Sequence, residues 1–375
     1  MKKAMFLLAL SLFASSAHSQ NQRPRDLGLK IGVMPTGANN AITDVVGVRV
    51  GQMTLSEGEA IRTGVTAILA HGEDHYQNKV PAAIYIGNGY GKLAGYSQVK
   101  ELGNLETPIV LTNTLSVPTA SNALIAHCLA QKGNENVRSV NAVVGETNDG
   151  YLNDIRGRHV QEAHVLEALE KASSGAVAEG NVGAGTGTIC FGWKGGIGTA
   201  SRVLPKSLGG YRVGVLVQTN FGGVLQIDGV PVGEALGQYA YKDPIDQSAD
   251  GSCMVVVATD APLTARNLER LAKRAFLGLA KTGGIASNGS GDYIIAFSTA
   301  ESVRIRSTES KLRKIEVLKN SAMSPLFMAA IEATEEAVIN ALFAAETTKG
   351  RDGNEIKALP KQRVLALLKA HGAIK

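Results

Sequence analysis

The chain has 375 residues, of which 44% are hydrophobic, 19% charged and 5% aromatic, with 43 glycines. That is enough for one large or two medium domains with an ordinary globular core. A mild net charge of +5 without a Lys/Arg run argues against a nucleic-acid partner, and an odd count of three cysteines argues against a disulfide framework.

The chain opens on Lys2-Lys3, then an apolar run over 4–14 that is too short to be a permanent membrane anchor. Ala17-His18-Ser19 offers small residues at cleavage spacing, so 1–19 is predicted to be a signal peptide cut after Ser19. The mature protein is then expected to be periplasmic or secreted, with no membrane association. Residues 20–30 read as a polar tail. Strands are predicted as a pair over 42–54, then at 64–70 and 82–86, before the glycine-rich turn Gly87-Asn88-Gly89-Tyr90-Gly91. Those glycines do not fit the nucleotide fingerprint, which needs its spacing between a strand and a helix.

Further strands are expected at 108–114 and 140–144, the second ending in the loop Gly145-Glu146-Thr147-Asn148-Asp149-Gly150, and helices at 120–132 and 159–172. A strand at 211–219 ends in Asn220-Phe221-Gly222-Gly223, and 235–250 reads as a linker. Next come a strand at 254–259 and a helix at 262–280, whose apolar residues 268, 271, 275 and 279 keep helical spacing. The polar loop Ser287-Asn288-Gly289-Ser290-Gly291-Asp292 leads into a strand at 293–298, and helices close the chain at 326–345 and 363–371. Valine- and isoleucine-rich strands alternating with helices imply an α/β protein with sheets buried between helix layers.

The stretch that organises the chain is Gly251-Ser252 followed by the apolar run to Thr259. One reading is a loop entering a strand. The other is a cleavage point: were the Gly251–Ser252 bond cut, the Ser252 α-amine, with a pKa of about 8, could activate its own hydroxyl. Cys253 stands beside it, but strand alternation turns it to the opposite face. All three cysteines sit in apolar surroundings and read as buried small hydrophobes. His71 and His75, in a polar loop, are the closest pair that could share a metal site, but with no metal-ligand cluster in the sequence no metal is expected. No GxSxG elbow supports a Ser-His-Asp triad. What recurs is a polar residue in a glycine-flanked loop at a strand end: Glu146, Asn220, Ser252, Ser290 and Asp292. Loops on a rigid scaffold are where sites are commonly built, although each residue also has an ordinary role as a turn former or solvated side chain.

Several blocks carry a resemblance: Asn88 to Gly95, Leu111 to Pro118, Val144 to Gly150, Gly183 to Gly187, Lys194 to Thr199, Gly251-Ser252, Ala258 to Leu263 and Ser287 to Asp292. Long, in order and spread over nearly all of the mature chain, they resemble the self-processing aminopeptidases. That family includes the β-peptidyl aminopeptidases and the L-aminopeptidase/D-amidase/esterase enzymes. The resemblance implies a four-layer αββα sandwich, shared more distantly with the ornithine acetyltransferases. It implies self-cleavage at Gly251–Ser252 into an α chain (20–251) and a β chain (252–375), which stay associated in one domain and assemble into a homotetramer. It also implies Ser252 as nucleophile, Asn220 in the oxyanion hole, Ser290 and Asp292 positioning the nucleophile, and Glu146 binding the substrate's free amine. Some relatives carry glutamate at the place of Asp292. Some place a tyrosine near the glutamate, a place that Asn148 or Tyr151 could fill.

The expected function is therefore a periplasmic, cofactor-free aminopeptidase. It removes N-terminal residues, expected to be β-amino acids, from small peptides or amides with a free N-terminus, through an acyl-enzyme on Ser252. The alternative is an L-aminopeptidase with D-amidase or esterase activity. A non-catalytic periplasmic binding protein would instead remain one intact chain. The acetyltransferase branch is set apart by threonine at its cleavage point.

Overall fold

Three apolar layers, one above another, organise the computed structural model, which describes residues 23–242, 251–308 and 311–374. The expected signal peptide and residues 243–250 of the expected linker lie outside the described residues. In chain order the elements are β1 (Arg49–Glu57), β2 (Ile61–Leu69), β3 (Asn78–Gly89), β4 (Leu93–Ala94), α1 (Tyr96–Leu102), β5 (Asn104–Leu105), β6 (Ile109–Asn113), α2 (Val117–Leu129), β7 (Val143–Thr147) and α3 (Glu162–Glu170). They continue with β8 (Ile189–Cys190), β9 (Trp193–Lys194), β10 (Gly196–Val203), β11 (Arg212–Asn220), α4 (Val232–Leu236), β12 (Ser252–Thr259), α5 (Ala265–Lys281), β13 (Gly291–Ser298), β14 (Ile305–Arg306), α6 (Ser324–Ala344), β15 (Thr348–Lys349), β16 (Glu355–Ile356) and α7 (Lys361–Ala370).

One sheet runs β1-β2-β6-β7-β4; the other runs β10-β11-β12-β13-β3-β14, with β5 added on β3. In the outer layer, Val65, Ala67, Val110 and Val144 of the first sheet meet Ala120, Leu124, Val165 and Leu169 of α2 and α3. The middle layer lies between the sheets, where Ile68, Ile109, Leu111 and Val143 face Leu216, Met254, Val256, Ile295 and Phe297. In the third, Val215, Val217, Cys253, Val255, Val257 and Ile294 pack on Leu268, Leu271, Ala275 and Leu279 of α5 and on Ala333 and Ala337 of α6. Each sheet is thus covered on both faces, which is the expected αββα sandwich. Double coverage explains why β12 is an unbroken apolar run: both its faces are buried.

β10 lies where no strand was expected, the expected linker begins inside α4, and two further regions depart from expectation. Residues 42–44 form a 3-10 turn and the strand starts only at Arg49, so the predicted strand pair at 42–54 is a single strand entered through a turn. The segment expected as a polar tail is strapped to α6 from Arg23 onward. Arg25 pairs with Glu336 at 2.6 Å, and Leu29 and Ile31 are buried. The strap also brings a carbonyl to a fully buried charge. Arg202 pairs with Glu332 at 2.9 Å and Glu336 at 2.6 Å, and donates to the Ile31 carbonyl at 2.7 Å. A buried guanidinium needs such a complete set of partners.

Candidate active site

Ser252 is the first residue of β12 and sits between two partner strands. In the antiparallel β11–β12 ladder its register partner is Asn220; in the parallel β12–β13 ladder it is Gly291. The Ser252 hydroxyl donates to the Gly251 carbonyl at 2.6 Å. The Gly291 N–H points at both groups, 3.2 Å from the Gly251 oxygen and 3.3 Å from Ser252 Oγ. Hydroxyl and preceding peptide carbonyl therefore share one backbone donor. Gly251 has no room for a side chain: a Cβ would fall 2.3 Å from the Asn220 oxygen and 2.5 Å from Phe221 Cα. Alternation puts Ser252 on the same face as Met254 and Val256, and Cys253 on the helix face. Cys253 is fully buried and its thiol pKa is pushed well up by that burial, so it is no rival nucleophile.

Asn220 stands directly across the ladder from Ser252, where side chains of paired residues are neighbours on one face. Its Oδ1 accepts the Ile189 N–H at 2.9 Å, which fixes the amide and leaves its NH2 as the donor end. Ile189 is in turn paired with Lys194 in the β8–β9 hairpin. The Lys194 amine is fully buried between the Gly185 and Gly195 carbonyls, each at 2.9 Å, and burial pushes its pKa down to about 7.

Ser290 precedes Gly291, and Asp292 follows it opposite Cys253. The Ser290 loop is clamped by Asn88, whose Nδ2 donates to the Ser287 carbonyl at 2.9 Å and the Ser290 carbonyl at 2.5 Å. Among the described residues, the Ser290 hydroxyl and both Asp292 carboxylate oxygens are buried without a hydrogen-bond partner of ordinary geometry. Burial raises the Asp292 pKa to about 6, with the neighbouring Ser290 hydroxyl opposing the shift. Orphaned buried groups are rare and costly, and their concentration beside Ser252 marks a place built for chemistry.

Glu146 comes from the facing sheet. A Cβ on its neighbour Gly145 would fall 2.7 Å from Met254 Sδ, so the strand carrying Glu146 lies directly across from the strand headed by Ser252. The carboxylate is buried and accepts the Lys92 N–H at 3.0 Å through Oε1 and a short bond from the Thr114 hydroxyl through Oε2. Lys92 Nζ lies 4.0 Å from Oε1. Gly91 makes this approach possible. Its φ is +73°, and a Cβ there would fall 2.4 Å from Oε1.

The site residues were expected in loops, but Glu146, Asn220, Ser252 and Asp292 are strand residues, and only Ser290 lies in a loop. Ladder pairing at the sheet ends overrides the turn character of these polar, glycine-flanked runs. Among the described residues no hydrogen bond joins Glu146, Ser290 or Asp292 to Ser252 in the single chain. Asn148 accepts the Gly150 N–H of its own turn, and Tyr151 is half exposed. A tyrosine that feels both acids is Tyr293. Its hydroxyl donates to the Tyr90 carbonyl at 3.2 Å, and its pKa is raised by burial and then by Glu146 and Asp292. Tyr293, Thr114, Lys92, Asn88 and the Gly291 N–H carry no spacing signal that would single them out in the sequence.

Other chemistry-bearing groups have ordinary structural surroundings. His71 and His75 lie in the loop between β2 and β3 but are buried there, stacked at 4.2 Å. The Asn78 carbonyl and the Glu73 N–H occupy the two nitrogens of His71, and the Ala70 N–H bonds to His75 Nε2. Cys128 and Cys190 are buried free thiols with pKa values pushed up by burial to about 11 and about 12.

A serine heading the central strand of a sheet sandwich enclosed by helices defines a serine hydrolase of the N-terminal-nucleophile class. Solved structures agree. A β-aminopeptidase from a Burkholderia species superposes with a TM-score of 0.86 at 42% identity, over 94% of this chain and 99% of that one. The L-aminopeptidase D-Ala-esterase/amidase of Ochrobactrum anthropi, described as a prototype of the serine aminopeptidases and a variant of the Ntn-hydrolase fold, gives a TM-score of 0.86. It is 38% identical, with the same coverage. The chain belongs to peptidase family S58, whose model matches residues 40–356. It is also similar to the β-peptidyl aminopeptidase BapA of Sphingosinicella microcystinivorans, at 42% identity over 97% of this chain and 96% of that protein. The protein is accordingly a serine aminopeptidase.

Proposed function

We propose that the chain is a self-processing aminopeptidase that removes N-terminal β-amino acids from short peptides and amides. The observation that carries the reading is Ser252, hydrogen-bonded at 2.6 Å to the carbonyl it would attack, with Gly291 N–H shared between them. In processing, Ser252 Oγ bonds to the Gly251 carbonyl carbon, and the Gly251–Ser252 C–N bond breaks. The hydroxyl proton passes to the departing nitrogen. Water then hydrolyses the resulting ester, leaving a carboxylate on Gly251 and a free α-amine on Ser252. Gly291 N–H is placed to hold the oxyanion formed on the Gly251 oxygen.

In turnover, the freed amine acts as base for the Ser252 hydroxyl, which attacks the substrate carbonyl. Asn220 Nδ2 serves as an oxyanion donor. Removing one such donor typically slows acyl transfer by about 10²–10³-fold. Water releases the acyl group. Glu146 pairs with the substrate ammonium, which confines the enzyme to free N-termini. Asp292, with Ser290, would supply the new ammonium with a carboxylate partner. The α (20–251) and β (252–375) chains remain one αββα domain, assembled as a homotetramer, and the predicted leader directs the protein to the periplasm or outside the cell. The β-residue preference is supported by the names of the relatives at 42% identity. Parallel assays on a β-alanyl amide and an L-alanyl amide test it: the first should be hydrolysed with the higher kcat/KM, and the reverse order would favour the L-aminopeptidase reading.

A further inference from the structure

The amine-binding carboxylate has a cation already beside it. Lys92 Nζ lies 4.0 Å from Glu146 Oε1, outside hydrogen-bond reach, and its side chain is half exposed while that of Glu146 is buried. Among the described residues Lys92 Nζ makes no hydrogen bond, so the ammonium can swing at little cost. Its backbone is fixed, because the Lys92 N–H donates to the same Oε1 at 3.0 Å. Gly91 at φ +73° and the Thr114 hydroxyl bonded to Oε2 complete the frame. Each carboxylate oxygen still has a lone pair for a further donor.

A plain β-alanyl substrate brings its ammonium to Glu146 and so places two cations on one carboxylate. A substrate whose amine-bearing carbon also carries a carboxylate removes that conflict. Its ammonium meets Glu146, its carboxylate meets Lys92, and the four charges alternate. A β-linked aspartyl residue has this head group. Counting bonds from amine to scissile carbonyl, it has the same backbone as β-alanine, with the carboxylate as a branch on the amine-bearing carbon.

We infer that the Glu146–Lys92 pair recognises zwitterionic head groups, making peptides with an N-terminal β-linked aspartyl residue a substrate class of this enzyme. The inference rests on the β-residue reading and on Glu146 as the amine site. Lys92 acts here as a specificity determinant, touching substrate but not the reacting atoms.

The experiment compares β-aspartyl-leucine with β-alanyl-leucine on the purified enzyme and its Lys92→Met and Lys92→Arg variants. The enzyme should cleave both dipeptides. Lys92→Met should lower kcat/KM for β-aspartyl-leucine by about 10- to 100-fold, mainly through KM, the scale of one charge-assisted contact. The same change should lower KM for β-alanyl-leucine, because a competing cation has gone. Lys92→Arg should retain β-aspartyl cleavage. An enzyme that cleaves β-alanyl-leucine but not β-aspartyl-leucine overturns this inference and leaves the β-residue reading standing. Equal losses on both dipeptides in Lys92→Met would mean that Lys92 only shapes Glu146, and would overturn it too. Failure to cleave either dipeptide, with L-alanyl amides still hydrolysed, removes the β-residue reading and this inference together.

Discussion

Replacing Asp292 by asparagine should remove a pH-dependent stability cost from the unprocessed chain while making the enzyme worse. The carboxylate is 1% exposed, and neither oxygen has a hydrogen-bond partner of ordinary geometry among the described residues. Burial raises its pKa from 3.8 to about 6, a difference of about two units. At about 1.4 kcal/mol per unit, holding the ionised form in the fold costs about 3 kcal/mol above pH 6. The sign follows from proton binding. Between pH 3.8 and about 6 the folded chain holds more protons than the unfolded one, so the cost fades as pH falls through that window. In a Ser252→Ala background, expected to keep the chain intact, the stability of Asp292→Asn relative to its parent should therefore rise by about 2 kcal/mol between pH 4.5 and pH 8. If processing frees the Ser252 amine as proposed, its ammonium would partner Asp292, so this pH-dependent gain should shrink and kcat should fall. Urea unfolding midpoints at the two pH values, with kcat on the processed variant, measure all of this. A stability difference between the two chains that stays the same from pH 4.5 to pH 8 would refute the claim that burial raises this carboxylate's pKa.

The other predictions concern the amine site and acid stability. Glu146→Gln keeps the shape and removes the charge, so kcat/KM for free-amine substrates should fall by about 1.5–3 kcal/mol, the scale of a charged hydrogen bond. N-acetylated substrates should change little, and equal losses on both would contradict the amine-binding role. His75 is held neutral, its pKa pushed well below 6.5 by burial and then by His71, His127 and Arg304. Its contribution to stability is full above pH 6.5 and is lost as pH falls toward the folded value, because the unfolded chain binds the proton first. His75→Gln keeps an acceptor for the Ala70 N–H and should flatten the drop in urea midpoint between pH 7.5 and 5.5; an unchanged slope would count against it.

How much of this could be read in advance depended on the range of the interaction. The α5 stripe at 268, 271, 275 and 279 is a local pattern, and those residues are buried as expected. The Ser252 strand was visible because double coverage needs an unbroken apolar run. Glu146 was misplaced into a loop because Gly-Glu-Thr-Asn-Asp-Gly has turn composition, whereas pairing with β6 and β4 draws it into β7. The contacts that assemble the site are of long sequence range. Asn88 clamps a loop about 200 residues away, and Asn220 meets Ser252 across a ladder whose register no local spacing encodes. His71 and His75 looked like polar-loop residues because the carbonyl and N–H groups that satisfy them are backbone and leave no mark on composition.

The central claim is that Ser252 cuts the chain before itself and then works from the new N-terminus. Intact-mass analysis of the purified protein beside its Ser252→Ala variant tests it most directly. The account predicts two chains in the parent, the second beginning at Ser252, and one uncleaved, inactive chain in the variant. A single intact chain in an active parent, or a Ser252→Ala protein still divided at Gly251–Ser252, would contradict it.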